Sequence, residues 1–255
     1  MIRAALILLL VTSCNDLVQL APDPLGNLVQ LEITPKHSEL VISDLSQPPI
    51  ALGFHAIGVF SDGARRDVTQ QLVWNVDDAF PGSFLDPGVY TTTNTAAGQV
   101  EVIALADDVW ATADITVRID ARLVDTAFPP SDPTLFDGAK PEIAGDPLRS
   151  PALVYPNDGT LFPQGLPNTV FQLSRGATND AFRITFETAL LKLVVLTGAD
   201  RWETGAVVQQ VLSQSNLGDQ MTVSIDAAAL ADPGTIYQGP SIGIRFAKDS
   251  PDGPL

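Results

Sequence analysis

The sequence predicts an all-β chain of two β-sandwich domains in tandem, behind an apolar leader and joined by a proline-rich linker. Three observations point there. Apolar and polar residues alternate over short runs rich in Val, Ile, Thr and Phe, the period of a half-buried strand. Twenty prolines and nineteen glycines among 255 residues punctuate those runs at close intervals. Helical spacing is confined to one window, Gly205 to Gln214, through Val207, Val208, Val211 and Leu212.

The leader comes first. Met1-Ile2-Arg3 is a short basic start, Ala4 to Val11 is apolar, and Thr12-Ser13-Cys14 follow. Basic, apolar, then small is the order of a secretory signal peptide. An eight-residue apolar run is too short to cross a bilayer core, which takes about 20 residues. Val11-Thr12-Ser13-Cys14 resembles the lipobox of bacterial lipoproteins. That resemblance implies a signal peptide over residues 1–13, removed just before Cys14. It implies diacylglycerol on the Cys14 thiol, an acylated new amino terminus, and the membrane as a partner through that lipid. Asn15 in place of Asp implies delivery to the outer membrane or cell surface, with a periplasm-facing position as the other possibility. Residues 14–25 are polar around Pro22 and Pro24 and read as a tether.

The first domain spans residues 26–119. Leu28 to Ile33 alternates and stops at Pro35. Glu39 to Ile42 is a second short strand, and His37 falls in the loop before it. Ile50 to Phe60 reads as the longest strand, with Leu52, Phe54, Ala56, Gly58 and Phe60 on its core face and His55 on the other. Ser61-Asp62-Gly63 turns the chain, since Asp bonds amides ahead of it and Gly accepts positive φ. Leu72, Trp74 and Val76 share the core face of the return strand. Pro81-Gly82 and Asp86-Pro87-Gly88 read as loops, and Val89 to Thr92 as a short strand. Val100, Val102 and Ala104 line the next strand. Ala111, Ala113, Ile115, Val117 and Ile119 line the last.

Phe60-Ser61-Asp62-Gly63, then Asp67-Val68-Thr69, then Val73-Trp74 closely resemble the bacterial immunoglobulin-like domain, group 2. Gly88-Val89-Tyr90 and Gly98 through Ala104 match that family's later half. The resemblance covers nearly all of residues 26–119 and implies an extracellular or periplasmic spacer or adhesion module. The longer loop Ala79 to Phe84 departs from the pattern.

Residues 120–150 hold Pro129, Pro130, Pro133, Pro141 and Pro147 and read as an extended linker, with partial order because Leu135 and Phe136 need cover. Residues 151–255 read as a second sandwich. Its strands are Ala152 to Tyr155, Val170 to Leu173, Phe182 to Phe186, Leu191 to Val195, Met221 to Ile225 and Ile242 to Phe246, and Phe162-Pro163 with Leu166-Pro167 suggest an edge segment. Tyr155 to Thr160 followed by Phe171-Gln172 resembles the opening of fibronectin type III modules, so residues 151–247 are expected to be immunoglobulin-like or fibronectin-like. About six strands are legible there, one short of closure, and Pro251-Asp252-Gly253 reads as a turn. Truncation at Leu255 is therefore expected.

Fourteen Lys and Arg stand against 30 Asp and Glu, a formal charge of −16. Loss of a leader containing Arg3 makes it one unit more negative. Such a surface repels nucleic acid and gives no electrostatic docking on anionic lipid. Cys14 is the single cysteine, so no intramolecular disulfide forms. His37 and His55 form no pair, and no HExxH, CxxC, GxSxG or phosphate-loop motif occurs. Asp77-Asp78 and Asp107-Asp108 fall in turns, where Asp is common for structural reasons, and no spaced calcium loop is present. No catalytic residue, metal ligand or cofactor is expected. An exposed tryptophan on a sandwich can serve as a sugar platform, although a core or inter-strand place is the commoner one; of Trp110 and Trp202, Trp110 shares an outer face with Thr112 and is the better candidate for exposure.

These readings converge on a monomeric, lipid-anchored envelope protein, non-catalytic, acting as a spacer, adhesion or binding module for a protein or glycan not identified by the sequence. The alternative is the non-catalytic N-terminal part of a longer envelope enzyme or β-propeller lipoprotein cut at Leu255.

Overall fold

The computed structural model describes residues 25–129 and 133–248. Cys14 and the leader lie outside those residues. The chain is all-β, and among the described residues the one α-helix is short, Ala206–Gln214 (α1).

The N-terminal half carries β1 (Leu28–Thr34), β2 (His37–Ile42), β3 (Ala51–Gly53), β4 (His55–Phe60), β5 (Arg65–Asp67), β6 (Val73–Val76), β7 (Gly82–Asp86), β8 (Val89–Thr92), β9 (Gly98–Ala106) and β10 (Val109–Val124). One sheet runs β1-β4-β5 and a small one β3-β8-β7. A third joins β6, β9, β10 and β2. Side chains from all three meet in the core, where Ile33, Ile42, Phe54, Tyr90 and Ile115 are fully buried.

The segment Ile50 to Phe60 forms two strands where one was expected. Its alternation holds, and Phe54, Ala56 and Phe60 are buried. The partners change, however. β3 pairs with β8, and β4 pairs with β1 and β5. Phe54 sits at the switch and donates its amide to Gly88 O at 2.6 Å. Side-chain period cannot reveal such a switch, because the inward face stays the same. β7 also forms where Pro81-Gly82 read as a loop, and His37 opens β2 instead of lying in a loop.

The turn after β4 forms as expected. Gly63 takes φ +81°, where a β-carbon would be strained. Asp62 Oδ1 accepts the Ala64 amide at 2.9 Å. Asp67 Oδ1 accepts the Thr69 amide and launches a single helical turn, Thr69–Gln71, before β6. Trp74 is half-buried, less than a core position implies. Its ring lies 5.8 Å from Phe54 and 5.2 Å from Phe84. Its Nε1–H donates to Thr69 O at 2.9 Å, which ties β6 to the turn.

The C-terminal half carries β11 (Glu142–Ala144), β12 (Ala152–Tyr155), β13 (Thr160–Phe162), β14 (Val170–Ser174), β15 (Ala181–Glu187), β16 (Leu191–Thr197), β17 (Arg201–Glu203), α1, β18 (Met221–Ala229), β19 (Asp232–Gln238) and β20 (Ile242–Phe246). The large sheet continues β10-β16-β15-β18-β19-β11, with β20 joining β18 and β13. A facing sheet runs β12-β14-β17. Phe171 from the small sheet and Phe186 from the large one meet edge to face at 5.0 Å, with Trp202 of β17 alongside. The count of six strands missed β17 and β19, while β13 ends at Phe162, where an edge segment was expected. β17 shows one apolar residue between two charges, and β19 begins Asp232-Pro233-Gly234, which reads as a turn.

The two halves share β10. Val109 to Val117 pairs antiparallel with β9, and Ile119 to Val124 pairs parallel with β16. Inward burial alternates along β10 without a break from Ala111 to Ala121. The Asp114 amide bonds Lys36 O on the β2 side, and the Ile119 amide bonds Leu190 O beside β16. Odd and even amides of a strand face opposite edges, so β16 takes over the edge that β9 leaves. One apolar cluster runs through both halves.

Residues 120–150, read as a linker, hold several ordered pieces. Asp120 to Val124 completes β10, and β11 pairs with β19. Leu135 and Phe136 are buried in a second cluster with Phe128, Ala181, Leu196 and Ala228, on the sheet face away from the main core. Two bare alanines in register on β15 and β18 leave a depression, and these side chains fill it.

Candidate functional site

Two surfaces among the described residues gather side chains suited to binding. The larger is an open polar groove of about 640 Å³ on the outer face of β10, β16, β15 and β18. Strand alternation puts Phe182, Ile184 and Phe186 inward, so Arg183, Thr185 and Glu187 must face the groove. Across the ladder Arg183 stands beside Asp226, Thr185 beside Ser224, and Glu187 beside Lys192.

Most of the groove's charge is spent internally. Arg183 binds Asp226 Oδ2 through Nε at 2.8 Å and Nη2 at 2.7 Å. The same guanidinium reaches Phe136 O at 3.3 Å and stands 5.3 Å from the Phe136 ring. Arg122 Nη1 donates to both Asp137 oxygens at 3.0 and 3.1 Å, and its Nη2 donates to Pro133 O at 2.6 Å. Gln238 Nε2 donates to Glu142 Oε2 at 2.7 Å. These contacts pin the segment 133–144 across the sheet. Burial pushes the Asp226 carboxyl above the usual carboxylate range, and the attraction of Arg183 offsets this in part. No nucleophile stands beside a base here, and the arrangement reads as a clamp with a polar floor.

The second surface is the outer face of β6, β9 and β10. Val73, Leu105 and Trp110 stand in one cross-strand row, since Leu105 is in register with both others. Direct cross-strand neighbours share a face and touch. All three are exposed, Trp110 by 64% and Val73 by 63%. Asn75, Ile103 and Thr112 form the next row. Beyond it lie Glu101 and Asp114, the latter 2.9 Å from His37 Nδ1. The exposure expected of Trp110 is observed, and Trp202 is buried at 4%. Periodicity placed Trp110, whereas Trp202 sits on β17, which the pattern does not reveal; the row around Trp110 was not legible, because it depends on the register of β6 against β9.

The remaining candidates scatter. His55 is exposed at the start of β4, opposite Thr34 of β1, and takes no part in the His37–Asp114 pair. Asp77 Oδ1 accepts the Glu101 amide, Asp78 Oδ1 accepts the Phe80 amide, and Asp107 takes the left-handed turn at φ +47°. These are structural duties of turn residues. Among the described residues no group of three or more His, Cys, Asp or Glu could hold a metal ion. No helix there is long and apolar enough to cross a membrane. Cys14 lies outside the described residues.

No family model matches the sequence, and no curated protein matches it significantly. Solved structures with a similar course are distant. The fibronectin(III)-like modules of Clostridium thermocellum CbhA align with 86% of this chain and 94% of their own, at 9% identity and TM-score 0.26. The titin immunoglobulin tandem A164-A165 aligns with 85% of this chain and 96% of its own, at 9% identity and TM-score 0.28. Domains 1–6 of the surface layer protein SbsC align with 89% of this chain and 29% of their own, at 12% identity and TM-score 0.28. These scores are too low to carry an argument about function.

Proposed function

We propose that the chain is a non-catalytic spacer and binding module of a bacterial cell envelope, anchored through lipid on Cys14. Strand β10 is the observation that supports this reading most. It starts beside the entry of the chain, where Leu25 and Val109 line one shallow pocket, and it ends in the far half. A 16-residue strand spans about 50 Å at 3.3 Å per residue. Paired along its length, it offers a stiff path from the anchored end to the polar groove. A rigid path between an anchor and a distal surface is what a spacer needs. The leader and Val11-Thr12-Ser13-Cys14 supply the anchor in this reading, and two or more acyl chains give stable attachment.

The groove, with its hydroxyls and mixed charges, is the surface assigned here to a protein or glycan partner. Labelled palmitate should enter the wild-type protein in a bacterial host and vanish in Cys14→Ala. Label that persists in the variant defeats the anchor. A glycan array and pull-down with delipidated protein test the groove, with Thr185→Tyr as the blocking variant; binding that survives the block places the partner elsewhere.

A further inference from the structure

We infer that the Val73–Leu105–Trp110 row is a membrane-contact surface, seated in the headgroup region of the bilayer that holds the Cys14 lipid. The inference rests on the anchor reading above and extends it to a second point of contact.

Three observations carry it. The row is apolar, exposed and continuous across three strands. It lies at the end of the sheet where the chain enters, because Leu25 and Gly26 share a pocket with Ala106 to Val109, and Trp110 follows directly. Eleven residue steps separate Cys14 from Leu25, and a chain covers at most about 3.6 Å per residue. Whatever their conformation, these residues hold Leu25 within about 40 Å of the lipid. The row is therefore held close to a bilayer whenever the anchor is inserted.

The chemistry selects the depth and the lipid. Tryptophan favours the interface, where its ring is apolar and its N–H stays wet. Here the N–H bonds no other described residue, and the side chain is 64% exposed. The neighbourhood is acidic, with Asp107 and Asp108 in the adjacent turn and Glu101 and Asp114 two rows away. That excludes attraction to anionic headgroups and leaves apolar insertion into a zwitterionic surface. The contact would hold the first half against the membrane while β10 directs the second half away.

Tryptophan emission tests this on the full-length lipidated protein. Of the three tryptophans, Trp202 is buried and Trp74 half-buried, so accessible changes report on Trp110. In phosphatidylcholine vesicles the emission should shift to the blue and be quenched by lipids brominated on their acyl chains. Trp110→Phe should abolish the quenching, and Leu105→Gln should weaken it. Both substitutions are at exposed positions and leave the core intact. Added phosphatidylglycerol should not strengthen the effect. Palmitate label at Cys14 with no quenching overturns the inference and leaves the anchor standing. Absence of label overturns the anchor reading and this inference with it. Two further results overturn the inference alone: Trp110 already shielded from acrylamide before vesicles are added, which makes residues 15–24 the cover, and a blue shift produced by soluble neutral glucan, which makes a sugar the ligand.

Discussion

Arg183 and Asp226 lie side by side on β15 and β18, joined by two nitrogens of one guanidinium at 2.7 and 2.8 Å from a single carboxylate oxygen. The Asp226 side chain is 10% exposed and that of Arg183 23%. Breaking such a pair from one side strands the other charge, at a cost of about 3–5 kcal/mol. Arg183→Met should therefore destabilise the protein by that amount at pH 7. The pH dependence has a definite sign. Burial holds the folded pKa of Asp226 above its unfolded value, so folding favours the protonated acid. That contribution is fully present below the unfolded value of about 3.9 and is lost as pH rises through the raised folded value. Without Arg183 the upward push is unopposed, and the deficit of Arg183→Met should shrink between pH 7 and pH 4.5. Urea denaturation at both values decides it; an equal deficit would remove Asp226 from the account.

β10 makes the joint between the halves a ladder. The amide of Ala121 belongs to the set that faces β16, by the parity fixed at Ile119. Ala121→Pro removes that donor at a buried position and should cost about 1–3 kcal/mol. Its larger effect should be on shape: the radius of gyration from small-angle scattering rises, and limited proteolysis cuts near residue 121. An unchanged scattering curve would mean that the shared core, through Ile119 and Leu191, holds the halves without the ladder.

Trp74 combines packing with one hydrogen bond. Trp74→Ala should cost about 3 kcal/mol, the low end for a large aromatic, because the ring is half-buried. Trp74→Phe keeps contact with Phe54 and Phe84 but loses the bond to Thr69 O, and should cost about 1 kcal/mol. If the two variants prove equal in chemical denaturation, the hydrogen bond carries the whole contribution.

The strands that bury one face were legible because their period is strict. Ala111 to Ile119 and Phe182 to Phe186 are buried at every alternate position foreseen for them. Leu135 and Phe136 were legible as groups needing cover, though not what they cover, since Ala181 and Ala228 come together through pairing distant in sequence. The sheet switch at Phe54 and the strand at Asp232–Gln238 escaped for a different reason. Both depend on which backbone is opposite, and side-chain pattern carries no record of that. The same limit hid both surfaces. The clamp at Arg183 and the row at Trp110 are products of register, assembled from residues that are ordinary in isolation.

Tyr90 gives the sharpest contrast between a residue's burial and its use. The side chain is fully buried, and its hydroxyl has no hydrogen-bond partner among the described residues. Burial, reinforced by Asp78, pushes the phenol well above its usual range, so it stays neutral under any ordinary condition. A neutral hydroxyl without a partner still loses its hydration, at a cost of about 1–3 kcal/mol. The ring itself is needed, since it packs on Phe84 at 5.8 Å and closes over Gly82, where an added β-carbon would lie 2.5 Å from the Tyr90 oxygen. Tyr90→Phe keeps the ring and removes the oxygen. It should stabilise the protein by about 1 kcal/mol in urea denaturation, unlike most core substitutions. Gly82→Ala should destabilise wild type, and the Tyr90→Phe background should relieve only the contact with the oxygen, since Thr91 O at 2.5 Å and the ring carbon Cζ at 2.6 Å still crowd the added β-carbon. A loss of stability above about 1 kcal/mol in Tyr90→Phe alone would show that a water bonds the hydroxyl, and the site would then be a small hydrated cavity at the centre of the first half.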